Sequence, residues 1–358
     1  MHEFNLRMRA GGSPWGFFVE PEPQWIPKRP GQKVWREYYV AVDEAQQVRG
    51  GFALKPQEWW VRGEPHVVTD GQGPFSEGSV DPRFATLALR MVREMLSQRP
   101  ILYSWGHGGN EQPLVQMLQR MGWLLHGTPF CLRILRPTRF LRLNAYLRTT
   151  PPRRLALDLI AGSGAGALGI AALHALLRLR MPRRFRARAV EVAEFGPWAD
   201  EVWERCRRSY AAIAARDAAS MNVLAPAAGW PRVTRLKIEI AGRVAGWALV
   251  MDTRLQDDAR FGDLYVGSIV DCLAEPADAG EVVACATGFL RRRGVDLIAS
   301  NQSHPGWIRG FANNGYLVLP GRRLFAASPA LQQLLEPFEL TAQGLHLTNM
   351  DGHGPAGL

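Results

Sequence analysis

Lysine is nearly absent: of 43 basic residues only Lys28, Lys33, Lys55 and Lys237 are lysine, and the other 39 are arginine. Cysteine is scarce as well. Cys131, Cys206, Cys272 and Cys285 lie far apart with no C-x-x-C pair, which excludes a zinc-ribbon spacing and a disulfide framework and points to a reducing compartment. The opening residues, "MHEFNLRMRAGGSPWG", hold no apolar run of signal-peptide length, so secretion through a cleaved signal is not expected. No helix-turn-helix, zinc finger or RNP-like aromatic pattern accompanies the net charge of +10, and nucleic acid is therefore the least expected partner of a basic surface. The charge reads either as compositional bias toward arginine or as attraction to phosphate-bearing partners. With 358 residues, 47% hydrophobic and 21% charged, the chain has the composition of a soluble protein and the length of two domains.

The chain is written twice. A two-strand unit with a glycine-containing turn occurs as "REYYVAVDEAQQVRGGFAL" (36–54) and as "TRLKIEIAGRVAGWALVMD" (234–252). A strand end, a corner and a helix follow at 79–98 and 268–293. A buried strand, a polar segment, a helix, a Gly-aromatic step and another strand close each copy at 100–125 and 295–319. The spacing holds: Gly51 and Gly246 are 195 positions apart, Gly122 and Gly315 are 193 apart. Two α/β domains of one architecture are the economical reading, 1–148 and 189–336, with a linker at 149–188 and a tail at 337–358.

The linker carries the apolar segment "LALDLIAGSGAGALGIAALHALLRL" (155–179), framed by Arg153, Arg154, Arg178, Arg180, Arg183 and Arg184. Its length admits a bilayer span, while Asp158, Ser163, His174 and four glycines speak for a helix packed between the domains or a helix lying on a membrane surface through 153–188. The placement expected on these grounds is cytoplasmic, with room for peripheral contact with the inner face of the membrane. In the tail, "LHLTNMDGHGP" reads either as a loose terminus or as an ordered turn reaching back into a cleft through Thr348, Asp351 and His353. His346, Asp351 and His353 are too few and too loosely placed for a metal site, and no metal is expected.

The order of elements, with "VDPRF" leading into a helix and the steps "LQRMGW" and "FANNGY", resembles the GNAT acyltransferase domain, present twice as two mixed, mostly antiparallel sheets flanked by helices. Among tandem GNAT proteins it looks closer to those associated with bacterial polysaccharide assembly than to the Fem type, which uses aminoacyl-tRNA. The resemblance implies acyl-CoA, most plainly acetyl-CoA, as co-substrate and an amino group on a saccharide or cell-envelope precursor as acceptor. It places the CoA pyrophosphate at Val80, Ala85, Thr86, Leu87, Ala88 and Arg90, where backbone N–H groups at a helix start favour anions. The glycines usual in that loop are replaced by Ala85, Ala88 and Arg90, and the second corner, "LAEPADAGEV", adds Glu275 and Asp278. The tyrosine that protonates the departing thiolate in the family falls on Leu118 and Phe311, which have no proton to give. These departures leave open a non-catalytic, GNAT-like binding protein.

Polar groups at the strand ends supply the candidates. Glu77 is a general base or a solvated strand-end carboxylate, and Tyr103 and His107 stand at or beyond the next strand end, with His107 a loop residue or a general acid. In the second copy Asp271 is a helix cap or a base. Asn301, Gln302 and His304 carry donors and acceptors suited to sugar hydroxyls, with Trp307 a stacking face and Asp351 reaching in from the tail. The Trp59-Trp60 pair reads as strand packing or a groove lining.

Overall fold

The computed structural model describes residues 1–18, 26–106, 109–178, 187–228 and 231–355. The strands are β1 (Glu37–Val42), β2 (Val48–Val61), β3 (Glu64–Ser76), β4 (Leu102–Gly106), β5 (Leu124–Ile134), β6 (Ala187–Val192), β7 (Ala212–Ala214), β8 (Thr234–Ile240), β9 (Arg243–Arg254), β10 (Tyr265–Ala274), β11 (Leu297–Asn301), β12 (Leu317–Ala327) and β13 (Leu345–His346). Helices are α1 (His2–Ala10), α2 (Leu87–Gln98), α3 (Pro113–Arg120), α4 (Pro137–Leu143), α5 (Pro151–Gly162), α6 (Ala165–Arg178), α7 (Pro197–Cys206), α8 (Ala218–Leu224), α9 (Ala279–Arg293), α10 (Pro305–Asn313), α11 (Pro329–Leu334) and α12 (Phe338–Ala342).

One order of elements occurs twice along the chain. β1–β2–β3–α2–β4–α3–β5 repeats as β8–β9–β10–α9–β11–α10–β12. In each copy the hairpin and its third strand pair antiparallel, and the third and fourth strands run parallel across the helix that joins them. Each third strand also carries a register irregularity beyond its parallel pairing, opposite Gly51–Ala53 in β3 and between Ile269 and Asp271 in β10. A bulge re-aims the strand end, and it sits where the parallel pair begins to splay.

The two copies are not separate sheets. One sheet runs β13-β7-β2-β3-β4-β12-β5-β11-β10-β9-β8-β6, with β1 on the remaining length of β2. Each half lends its last strand to the other: β4 pairs with β12, β11 pairs with β5, and β5 and β12 pair antiparallel at the centre. The 14-residue β2 is long enough to hold β1 on its first half and β7 on Trp59–Val61.

The core alternates across the sheet as strand periodicity requires. Leu54 and Leu102 join Met91, Met95 and Leu118 of α2 and α3, whereas Trp59, Tyr103 and Phe325 join Leu331, Leu345 and Leu347 on the opposite face. Trp59 is fully buried and the neighbouring Trp60 lies under the Arg207 guanidinium at 3.6 Å, so this pair packs and lines no groove.

The apolar linker is not one helix. α5 and α6 meet at 76° across Ser163–Gly164, where Gly164 takes φ +75, and among the described residues no single helix is long and apolar enough to cross a membrane. The tail is no loose terminus: Leu345–Gly352 is buried throughout, and β13 extends the sheet beyond β7.

Candidate functional site

In the N-terminal half the corner between β3 and α2 is built from two short 3-10 turns, Glu77–Ser79 and Pro82–Phe84. They consume most of the backbone N–H groups on the way. Gly78 donates to Ser76 Oγ, Val80 and Asp81 to the Glu77 carbonyl, Phe84 to Asp81, and Ala85 to Pro82. The amides left over are those of the first turn of α2, at Leu87, Ala88 and Leu89, because Arg90 is the first to reach back, to Thr86. Thr86 offers no side-chain cap, and Ala85, Thr86 and Arg90 are exposed. The unpaired amides of the corner thus lie past Ala85, in the first turn of α2. Val80 lies under the end of α1, where a Cβ on Gly11 would sit 2.4 Å from its own.

Glu77 is not a free carboxylate. It is 3% exposed and bonded by Arg7 Nε at 2.8 Å and Arg49 Nη1 at 3.1 Å, which fastens α1 and β2 to the corner. Asp81 is held in turn by Arg83, whose Nε and Nη2 both donate to it. Beyond the parallel pairing of Thr69–Asp70 with Leu102–Tyr103, Ser104 Oγ donates across the widening gap to the Gly71 carbonyl at 2.8 Å. Tyr103 is buried, and its hydroxyl donates to the Asp351 carbonyl at 2.5 Å. His107 lies outside the described residues.

The C-terminal half starts alike and is then filled. Ser300 Oγ donates to the Ile269 carbonyl at 2.7 Å, the counterpart of the Ser104 bridge. Past it, Tyr210, Trp307 and His346 occupy the splay. Tyr210 donates to the Ala274 carbonyl at 2.6 Å, Trp307 Nε1 donates to Tyr210 Oη at 2.9 Å, and His346 Nε2 sits 2.9 Å from the Cys272 carbonyl. The His346 ring lies 4.9 Å from that of Tyr210 and 5.8 Å from that of Trp307. The start of α9 is uncapped like that of α2 and borders a cavity of about 650 Å³ lined by Pro276, Gly280, Arg309 and Gly310, with α10 so close that a Cβ on Gly310 would come within 3.1 Å of the Gly280 nitrogen. Asn314 Nδ2 donates to the Gly280 carbonyl, and Asp278 is paired with Arg243 at 2.7 Å. Side chains of the fold thus fill the space past the Ser300 bridge.

The groups expected to bind a sugar are interior. Asn301 Nδ2 reaches the Pro129 carbonyl at 3.4 Å, Gln302 donates to Ser300 Oγ at 3.1 Å, and Trp307 is fully buried. His304 caps α10, its Nδ1 accepting from Gly306 N–H at 3.0 Å. That acceptor role requires a neutral ring, and burial lowers its pKa to about 4.

Sequence reading missed the densest polar cluster, which lies between the halves under the tail. Arg216 stands between two carboxylates, with Nε 3.2 Å from Asp271 and Nη2 2.7 Å from Asp351. Thr348 donates to Asp271 and accepts from Arg216. Beside it Lys55 donates to the carbonyls of Met350, Asp351 and Gly352 and lies 3.7 Å from Asp70. All these charged side chains are at most 2% exposed. Burial lowers the Lys55 pKa to about 8 against the pull of Asp70, and burial raises Asp271 despite Arg216. Asp271 is therefore a strut of the tail lock, neither a helix cap nor an exposed base. The readable signal was the rarity of lysine itself, with Lys55 set inside an apolar strand. Among the described residues no group of three or more His, Cys, Asp or Glu side chains could hold a metal ion.

No protein-family profile matches the chain, and no curated protein matches it. Solved structures are similar over most of its length. N-myristoyltransferase of Saccharomyces cerevisiae, with bound myristoyl-CoA and inhibitors, gives 11% identity and a TM-score of 0.46 over 80% of this chain and 65% of its own. A GCN5-related N-acetyltransferase from Anabaena variabilis gives 13% and 0.47, over 80% and 61%. A conserved Enterococcus faecalis protein, described as a probable N-acyltransferase, gives 10% and 0.49, over 85% and 64%. The chain thus spans a little under two thirds of the length of each, and at TM-scores below 0.5 none of these likenesses carries a claim about its activity. What stands on its own geometry is a mixed α/β protein in which one order of strands and helices occurs twice within a single sheet.

Proposed function

We propose that the chain is an acyl-CoA-dependent N-acyltransferase whose N-terminal half takes the donor. The observation that carries this reading is the contrast between the two corners. α2 begins uncapped and open to solvent, with free amides at Leu87–Leu89, no acid in its first turn and Arg90 beside them, whereas α9, also uncapped, begins with Asp278 and Glu281. A pyrophosphate at α2 meets both unpaired N–H groups and the positive end of the helix dipole. The two carboxylates of the corner are each paired, Asp81 with Arg83 and Glu77 with Arg7 and Arg49. A short acyl group, acetyl, suits a splay already bridged by Ser104 and backed by the buried Trp105. Transfer needs an acceptor for the amine proton. Glu77, Tyr103 and Asp271 are all committed to structure, and among the described candidates none is free to be that group. An amino group on a saccharide or cell-envelope precursor is the acceptor the resemblance implies; the buried Asn301, Gln302, His304 and Trp307 lend it no support.

Acetyl-CoA at about a hundred times its dissociation constant should add about 2.7 kcal/mol and raise the thermal midpoint by several degrees. Arg90→Glu should abolish that shift while leaving the midpoint of the free protein in place. A shift that survives Arg90→Glu rejects the N-terminal assignment. The burial of every carboxylate and tyrosine first considered for catalysis favours a second reading, a binding protein without turnover. An Arg90-dependent shift with no release of free CoA thiol from acetyl-CoA in the presence of amino sugars would select it.

A further inference from the structure

The bent pair α5–α6 presents an aliphatic surface that the rest of the fold leaves uncovered. Its inner side is anchored: Ala161, Leu157 and Ile170 join Phe140, Leu141, Phe261 and Leu264 in one cluster. Its outer side carries Leu155, Leu159, Ile160 and Leu168, which are 63%, 65%, 42% and 73% exposed, with Tyr146 beside them at 66%. Helices of globular proteins turn their large aliphatic side chains inward, and one that is apolar on all sides is ordinarily buried. From Ala165 to Leu177 there is no charged residue.

The charge around this surface is of one sign. Arg142, Arg153 and Arg154 are exposed beside it, and in the sequence arginine resumes at Arg178. Between residues 149 and 190 there are eight arginines and one acid, Asp158. That carboxylate is neutralised by Arg148, whose Nη1 and Nη2 donate to it at 2.7 and 2.9 Å. A protein-binding patch is typically rich in aromatic anchors and hydrogen-bonding groups. Here the face is leucine, isoleucine, alanine and glycine with a cationic border, the composition suited to the headgroup boundary of an anionic bilayer. Neither helix alone, at about 1.5 Å per residue, approaches the roughly 30 Å of a hydrocarbon core, and the pair is bent by 76°.

We propose that α5–α6 docks this protein on the surface of a membrane containing anionic lipid, with Leu155, Leu159, Ile160 and Leu168 entering the headgroup boundary and the arginines meeting lipid phosphates. The inference is independent of any activity. It is tested with the full chain and sedimented vesicles of phosphatidylcholine containing about 30 mol % phosphatidylglycerol. The expected result is partition to these vesicles that falls about tenfold in pure phosphatidylcholine or high salt. A similar fall is expected in the double variant Leu159→Ser, Leu168→Ser at an unchanged thermal midpoint. No partition, or equal partition of variant and parent, overturns the proposal. Self-association in solution that the double variant abolishes, without vesicle binding, overturns it in favour of an interface between copies of this chain.

Discussion

Val40 and Ile238 hold the same place in the two halves, each paired with the glycine of its hairpin partner, Gly51 and Gly246. Val40 is 49% exposed and Ile238 is fully buried. The same contrast separates Tyr38 and Val42, which are exposed, from Leu236 and Ile240, which are not. Leu236 and Ile238 share a core with Ala199, Val202 and Trp203 of α7, and β6 covers the outer edge of β8. The N-terminal half has no counterpart to either element among the described residues. Its α1 goes instead to Glu77–Ser79, where Arg7 meets Glu77. One pattern of strands has thus been finished in two ways. The C-terminal copy is roofed and edged and the space past its Ser300 bridge is filled, while α2 and α9 both begin uncapped. The strands of the two halves share one sheet, and the surroundings of the two corners differ.

Removing the charge that holds the tail between the halves should have the largest effect. Arg216→Met leaves Asp271 and Asp351 buried without a cation and should cost about 3–5 kcal/mol in urea unfolding. A cost below about 1 kcal/mol would mean that the tail is held by its leucines alone. The second test measures the roof directly. Ile238→Ala should cost about 2–5 kcal/mol and Val40→Ala no more than about 0.5 kcal/mol, and equal costs would show that the N-terminal face is covered in solution.

Acid provides the third and smallest test. The neutral cap His304 takes up its proton at about 4 in the folded protein and near 6.5 in the unfolded chain. The unfolded state therefore binds more protons between these values, and stability falls as pH drops through that window. By about pH 5 the loss from this group is about 2 kcal/mol. His304→Asn keeps a capping oxygen and should flatten the slope. Hydrogen exchange should show α10 opening before α3, whose N-cap Gln112 makes no side-chain bond. Simultaneous opening would remove the distinction between the halves.

The repeat was legible because it is local: hairpins around Gly51 and Gly246, corners, and Gly-aromatic steps are all read within a few residues. The strand exchange was not. β5 and β12 carry equivalent patterns, and nothing in either says whether β4 or β11 will be its neighbour. The bent linker was signalled by its glycines yet read as one segment, because apolar length outweighs a single Ser163–Gly164 break. Glu77 was misleading for a different reason. Its partners Arg7 and Arg49 lie 70 and 28 positions away, and no local pattern announces them. Trp307, placed at the start of a helix after a polar run, gave the same surface signal whether it faced a sugar or, as it does, Tyr210.

The central ladder between β5 and β12 has a consequence for how the chain comes to exist. Neither half owns a finished sheet, so the N-terminal residues emerge from synthesis with β4 and β5 lacking the neighbours that complete them. They must wait through roughly two hundred further residues for β11 and β12. A nick in the segment between α6 and β6 would yield two fragments that remain clasped, each the missing piece of the other.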